Sequence, residues 1–326
     1  MKQFFIIGML AFLAVSCKKD KVNQILPEIT SSTPVWDTIY GGADKAYDSE
    51  LLALRAEIAP KFKTFEFKDS ETGKVMTYDI FIPENYDSSK SYPLVQFIAD
   101  ASTVGRGAEA PLMQGYGGII WATEESQKEN PAFVLVPTIK GPEWAVNDQW
   151  QTSDEVGIAH RLLMDVIATY NVDTNRIYTT GQSMGGMMSF YYNATYPDLF
   201  AASIFVSSQW DIKVLQPLVH DKFFYIVAGG DDKASNGMLQ VGELLTKNNV
   251  KFGFTEFSAQ LPLEEQNADV ENILKEGHAI NFVKFAKGSV LPKGVSGKNA
   301  SEHMYSFDYA YKLKSVRDWL FKQKKN

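Results

Sequence analysis

The stretch RIYTTGQSMGG, residues 176–186, decides how the rest of the chain is read. Its first half is β-branched and aromatic, as in a strand buried in a sheet, and its second half opens a helix-forming run. Between them lies G-x-S-x-G, with Gly181, Ser183 and Gly185. A serine on a sharp strand-to-helix turn must take strained dihedrals, and glycines two positions to either side remove side chains that would collide with it. A helix beginning near Met184 aims its free N–H groups at the same point. The pattern predicts an exposed, nucleophilic Ser183 rather than a structural turn.

Outward from this centre, short apolar runs recur at residues 93–99 (PLVQFIA), 133–136, 177–180, 203–206 and 223–228. They lack polar alternation, as strands buried on both faces should. Helical patterns separate or follow them at residues 155–170, 184–196, 236–247, 264–275 and 310–322. Upstream, residues 62–67 (FKTFEF) and 75–82 (VMTYDIFI) alternate apolar and polar residues around Glu71-Thr72-Gly73, which predicts an antiparallel hairpin. Leu51, Leu52, Leu54 and Ile58 predict a short amphipathic helix within residues 47–58, ended by Pro60. The fold class is α/β: a mostly parallel sheet with an antiparallel N-terminal edge and helices on both faces.

A nucleophilic serine needs a base, and the base needs an orienting acid. His160 lies inside a helical stretch and reads as a packing or surface residue, whereas His220 precedes strand 223–228 and belongs at the far end of the sheet. His278, in EGHAINFVKF, enters a further strand, and His303, in ASEHMYSFDYAYKL, precedes the last helix. For the acid, strand 223–228 runs into Gly229-Gly230-Asp231-Asp232, and functional groups gather at the carboxyl ends of such strands. Only one of the two aspartates can face an imidazole. The other is a turn residue or a cap for the helix near Ser235.

The chain has 326 residues, 45% of them hydrophobic and 22% charged, with a net charge of -7. An acidic balance argues against a nucleic-acid partner, which requires a concentrated basic face. A single cysteine, Cys17, excludes an internal disulfide framework and any multi-cysteine metal site. Residues 1–16 carry Lys2 and then an apolar run from Phe4 to Val15. That run is 12 residues, about 18 Å as a helix and short of the roughly 20 residues a membrane span needs. It reads as a signal peptide. Ser16 followed by Cys17 resembles the lipobox of bacterial lipoproteins, which implies a diacylated Cys17 and a membrane anchor in the cell envelope. Residues 17–46 then form the lipidated cysteine and a tether, Lys18, Lys19 and Lys21 being a solvated leader, and residues 47–326 form the folded domain.

From about residue 62 onward the chain resembles the esterase and peptidase-like branch of the α/β-hydrolase superfamily, the group related to prolyl oligopeptidase, feruloyl esterases and polyhydroxybutyrate depolymerases. The resemblance rests on TGKVMTYDIFIPENYD, YPLVQFIADAS, VDTNRIYTTGQSMGG followed by YPDLFAASIFVS, AGGDDKAS, and EHMYSFDYAYKLKSVRDWL. It implies the α/β-hydrolase fold and the chain order serine, acid, histidine. Ser183 is then the nucleophile, His303 the base with His278 as alternative, and Asp231 the acid with Asp232 as alternative. It also implies oxyanion donors at the N–H groups of Met184 and Ala101. The family often carries His-Gly in the second donor loop, whereas this chain reads Ile98-Ala99-Asp100-Ala101-Ser102 and sets a carboxylate beside a developing negative charge.

Residues 18–60 are too few for the propeller of prolyl oligopeptidases, so the resemblance implies a carboxylic ester substrate, glycan-linked or with an aromatic acyl group. Trp121, Trp144 and Trp150 are candidates for contacts to such groups. A peptidase, or a non-catalytic binding protein on the same scaffold, is the alternative. No metal or organic cofactor is implied.

Overall fold

Strand residues that form continuous apolar runs in the sequence divide between two faces once the strands pair. The computed structural model describes residues 36–292, 295 and 301–325. Its elements begin with helix α1 (Ser49–Ile58) and strands β1 (Lys63–Lys68), β2 (Val75–Phe81) and β3 (Tyr92–Ile98). Three short helices follow, α2 (Ala110–Met113), α3 (Tyr116–Ile119) and α4 (Glu124–Glu129), and then β4 (Phe133–Pro137) and α5 (Asp154–Thr169). The central unit is β5 (Val172–Gln182) and α6 (Met184–Thr195), followed by β6 (Ala202–Val206), β7 (Phe223–Ala228) and α7 (Asp232–Lys247). The chain closes with β8 (Gly253–Phe257), α8 (Leu263–Leu274), β9 (Ile280–Phe285), α9 (Glu302–Lys312) and α10 (Lys314–Lys322).

The nine strands form one sheet in the order β1-β2-β4-β3-β5-β6-β7-β9-β8. Only the β1–β2 and β2–β4 pairs are antiparallel; the other pairs are parallel. In β4, Val134 and Val136 join one core with Tyr116, Trp121, Tyr311 and Leu320. Phe133 and Leu135 join the other with Leu162, Met188, Phe190 and Val241. A strand buried on both sides has no use for polar alternation. By contrast β1, at the edge, is largely exposed and carries Lys63, Glu66 and Lys68, charges that discourage pairing with another chain.

This is the α/β-hydrolase arrangement expected from the sequence, with differences that include the short helices α2, α3 and α4, for which the sequence carries no clear period. Strand β8 was not anticipated: GFTEF is short, begins with glycine and alternates in burial. The C-terminal helix expected at residues 310–322 is two helices, parted by the buried Leu313 at φ -65° and ψ 95°. No glycine or proline marks that break in the sequence. Residues 36–46, assigned to the tether, are docked: Trp36 bridges to Ala43, and the buried Lys45 pairs with Asp308 at 2.7 Å. The signal peptide, Cys17 and the lysines after it lie outside the described residues. Among the described residues no helix is long and apolar enough to cross a membrane.

Candidate active site

Strand β5 lies between β3 and β6, with Ile98 beside Gly181 and Gln182 beside Val206. Its end delivers Ser183 to the carboxyl edge of the sheet at φ 51° and ψ -119°, a left-handed conformation that side chains rarely adopt. The crowding around the turn explains the glycines. A Cβ on Gly185 would lie 1.9 Å from the carbonyl oxygen of Ile98, and one on Gly181 would lie 2.3 Å from the carbonyl carbon of Gly185. The Ser183 N–H donates to the Val206 carbonyl at 3.0 Å, which pins the turn to β6.

His303 meets this serine from the first turn of α9, its Nε2 2.8 Å from Ser183 Oγ. Its Nδ1 lies 2.5 Å from Asp231 Oδ2. The sequence predicts His303 ahead of the last helix; it stands within α9 because helix begins at Glu302. Phe307, one turn on, makes a T-shaped contact with the imidazole, ring centroids 5.1 Å apart at 80°. Asp231 is buried and does two things: Oδ1 accepts the N–H of Ala234 at 3.3 Å, capping α7, while Oδ2 faces His303. Asp232, the alternative acid, is exposed on the first turn of α7. The cap expected of the second aspartate is thus supplied by the first.

The other histidines stand apart. His278, the alternative base, precedes β9 at the amino edge of the sheet and pairs with Glu276 at 3.2 Å. His220 ends a short helical turn ahead of β7, also at that edge. His160 stacks on Tyr196 at 4.0 Å, and burial lowers its pKa.

Glu302 and Ser306 are among the residues that the sequence does not single out. Glu302 accepts the N–H of Gly230 at 3.1 Å and of Gly288 at 2.9 Å, tying the start of α9 to the loop that carries Asp231. A Cβ on Gly230 would lie 1.8 Å from Glu302 Oε1, so the glycine pair before the aspartates was the available signal. Ser306 donates to the His303 carbonyl at 2.8 Å and shares a 2.6 Å hydrogen bond with Ser207, which itself has φ 40°.

Ala101 and Met184 both line a cleft of about 330 Å³ that contains Ser183 and His303. Neither backbone N–H finds an acceptor among the described residues. Asp100 does not line the cleft; it is buried, accepting from Ser102 N–H at 2.8 Å, Ser102 Oγ at 2.6 Å and Gln182 Nε2 at 3.0 Å. Of the three tryptophans, Trp144 lines the cleft and is 54% exposed. Trp121 is core, packed against Tyr311 and Phe321, and Trp150 lies edge-on to Trp210. Also lining the cleft, Lys233 pairs with Asp148 at 2.5 Å. Among the described residues no cluster of three or more His, Cys, Asp or Glu is suited to hold a metal ion.

The arrangement can relay a proton from a serine hydroxyl to an imidazole held by a carboxylate, beside two free N–H donors. Known proteins similar to this chain include esterases. Short segments match feruloyl esterase B of Neurospora crassa, 41% identical over 64 residues (18% of this chain, 22% of the relative). They also match acetylxylan esterase A of Emericella nidulans, 55% identical over 38 residues (12% of each). The matches span about a fifth or less of these relatives' length. Among solved structures, a thermostable esterase superposes with a TM-score of 0.63 at 23% identity, covering 82% of this chain and 64% of that one. A mutant of the feruloyl esterase module from Clostridium thermocellum, complexed with sinapinate, gives 0.53 at 12% identity, covering 86% and 94%. At such identities the superpositions speak for the fold alone. The Esterase family itself matches residues 70–270, more than half of the 326, and encloses β2 through most of α8 with Ser183 and Asp231 among them, so the chain belongs to the Esterase family.

Proposed function

We propose that the protein is a serine hydrolase of carboxylic esters, with Ser183 as nucleophile, His303 as general base and then acid, and Asp231 as the group that orients His303. The observation that carries this reading is the pair of contacts to one imidazole, 2.8 Å to Ser183 Oγ and 2.5 Å to Asp231 Oδ2. In the first half-reaction the Ser183 proton passes to His303 Nε2 while Oγ bonds to the ester carbonyl carbon. The carbonyl oxygen takes the negative charge and is met by the N–H groups of Ala101 and Met184. The bond to the leaving alcohol then breaks, His303 returns the proton to it, and an acyl-serine remains. Water repeats the sequence and frees the acid.

Esters bearing aromatic acyl groups or attached to carbohydrate fit the cleft, whose walls combine the exposed Trp144 with the polar pair Asp148 and Lys233. An aromatic face suits either a phenolic ring or a sugar. Export and anchoring through Cys17 belong to the same proposal and would put the enzyme in the bacterial cell envelope, facing esters outside the cytoplasm.

Intact-mass labelling with a fluorophosphonate tests the mechanism. One adduct on the wild type, absent in Ser183→Ala and His303→Ala, is the expected result. A folded wild type that takes no adduct would overturn the hydrolase reading in favour of ligand binding. Hydrolysis of short peptide amides as fast as aryl esters would reassign it as a peptidase. Membrane fractionation of full-length Cys17→Ser tests the anchor: the variant should leave the membrane pellet, and retention there would remove the lipid from the proposal.

A further inference from the structure

The residue before the nucleophile and the residues flanking Ala101 are joined in a closed ring of side chains. Gln182 Nε2 donates to Asp100 Oδ2 at 3.0 Å and to Gln114 Oε1 at 2.7 Å. Gln114 Nε2 donates to Ser102 Oγ at 2.7 Å, and Ser102 Oγ donates back to Asp100 Oδ1 at 2.6 Å. Asp100, Gln114 and Gln182 are each 2% exposed. The ring is closed on the outside by the N-terminal segment. A Cβ on Gly41 would lie 2.2 Å from the Ser102 carbonyl oxygen, and Gly42 faces Gln114 Nε2. Arg106 donates to the Ser102 carbonyl at 2.7 Å and also to the Thr38 carbonyl.

We infer that this ring positions the oxyanion hole, with Asp100, Ser102, Gln114 and Gln182 as positioning residues that fix the Ala101 N–H relative to Ser183. The inference rests on the ester-hydrolase reading. The Ala101 donor belongs to the loop after β3 and the Met184 donor to the elbow after β5. Two donors on separate loops hold one oxygen only if the loops keep a fixed offset, and errors near 1 Å are costly. Gln182 belongs to the elbow, Asp100 and Ser102 to the loop, and Gln114 bridges them. The carboxylate at 100 is thereby occupied by three donors behind Ala101, where it shapes the loop.

The ring has a direction, which supplies the test. In Asp100→Asn the new amide N–H₂ faces Gln182. If the Gln182 and Gln114 amides both flip, Gln182 Oε1 accepts from Asn Nδ2 and from Gln114 Nε2. Ser102 Oγ then donates to Gln114 Oε1, and Ser102 N–H still reaches Asn Oδ1. The links through Gln182 and Gln114 survive reversed and without the charge, while the Ser102 Oγ–Oδ1 hydrogen bond is given up and the Ser102 N–H alone joins residues 100 and 102. Asp100→Ala and Ser102→Ala open it.

The experiment measures kcat and KM of the full domain on p-nitrophenyl acetate and on its thionoester, whose larger, weaker acceptor sulfur exploits a well-placed oxyanion hole less. The expected result is a kcat lowered roughly thirtyfold in Asp100→Ala and roughly fivefold in Ser102→Ala, with KM within twofold. The preference of oxygen over sulfur ester should shrink in both, and Asp100→Asn should restore kcat and preference to within about threefold of wild type. Folded Ser102→Ala, or Asp100→Ala where it folds, with kcat and preference unchanged would overturn the positioning role and leave the hydrolase reading standing. So would an Asp100→Asn variant as impaired as Asp100→Ala. A wild type with no Ser183-dependent hydrolysis would remove both.

Discussion

Two histidines in this chain each keep a carboxylate within ion-pair reach, yet only one also meets a serine hydroxyl. His303 pairs with Asp231 at 2.5 Å, and His278 pairs with Glu276 at 3.2 Å. Asp231 is 8% exposed and already fixed as the cap of α7, whereas Glu276 is 54% exposed. The second nitrogen of His303 meets a serine hydroxyl, and His303 stands at the carboxyl edge of the sheet; His278 stands at the amino edge, ahead of β9. Because neighbouring strands run parallel, the turn before a strand and the turn after it open on opposite sides of the molecule. A carboxylate beside an imidazole is therefore not a base by itself; what decides is the edge on which the chain delivers it.

The largest effect expected from this contrast is at the elbow. Ser183→Ala and His303→Ala should each lower kcat on an aryl ester by on the order of 10⁴-fold or more, and residual activity of a few per cent in either would break the distinction. Asp231→Asn should cost on the order of 10⁴-fold, since the imidazole loses the acceptor that holds its tautomer. Asp232→Asn beside it should stay within about twofold, and the reverse ranking would reassign the acid. Glu302→Ala should lower kcat roughly tenfold with little change in KM, by releasing the start of α9 from Gly230; an unaltered kcat would show that Asp231 alone locates His303.

Away from the carboxyl edge, effects should turn from rate to stability. Asp79 on β2 is buried with Thr64 as its hydrogen-bond donor, and burial raises its pKa from 3.8 to about 6. Below about pH 4 the group is protonated in folded and unfolded chains alike and costs nothing. Between about pH 4 and 6 the unfolded chain ionises while the folded one keeps its proton, so stability falls by roughly 3 kcal/mol relative to a neutral group and is level above about 6. Asp79→Asn should raise the Tm at pH 8, leave it unchanged near pH 4 and keep kcat; equal Tm gains at both pH values would reject the linkage. The smallest effect belongs to His278→Ala, with activity within about twofold of wild type. A hundredfold loss there would overturn the edge argument.

Much of this was legible in the sequence for local reasons. The elbow declares itself because a strained serine between strand and helix leaves no room for side chains at Gly181 and Gly185. The two-sided strands declare themselves by their unbroken apolar runs. What stayed hidden depends on the fold's long-range closure. Nothing in the spacing near Asp231 and Asp232 distinguishes them until α7 starts at Asp232, four residues ahead of the helical pattern at 236–247. The break at Leu313 is a single extended residue inside a helical pattern. Gln114 and Glu302 lie in unremarkable stretches, and their partners are 68 and 72 residues away.

The double duty of Asp231 has a consequence for how this site can change over time. One oxygen begins a helix and the other steadies the histidine, so a longer glutamate would have to abandon one contact to keep the other. Relocating the acid to another strand would demand a new acceptor for His303 and a new first residue for α7 in the same step. Either change alone passes through a protein with an idle histidine or a frayed helix, which makes the aspartate an evolutionary ratchet while its neighbour Asp232 is free to drift.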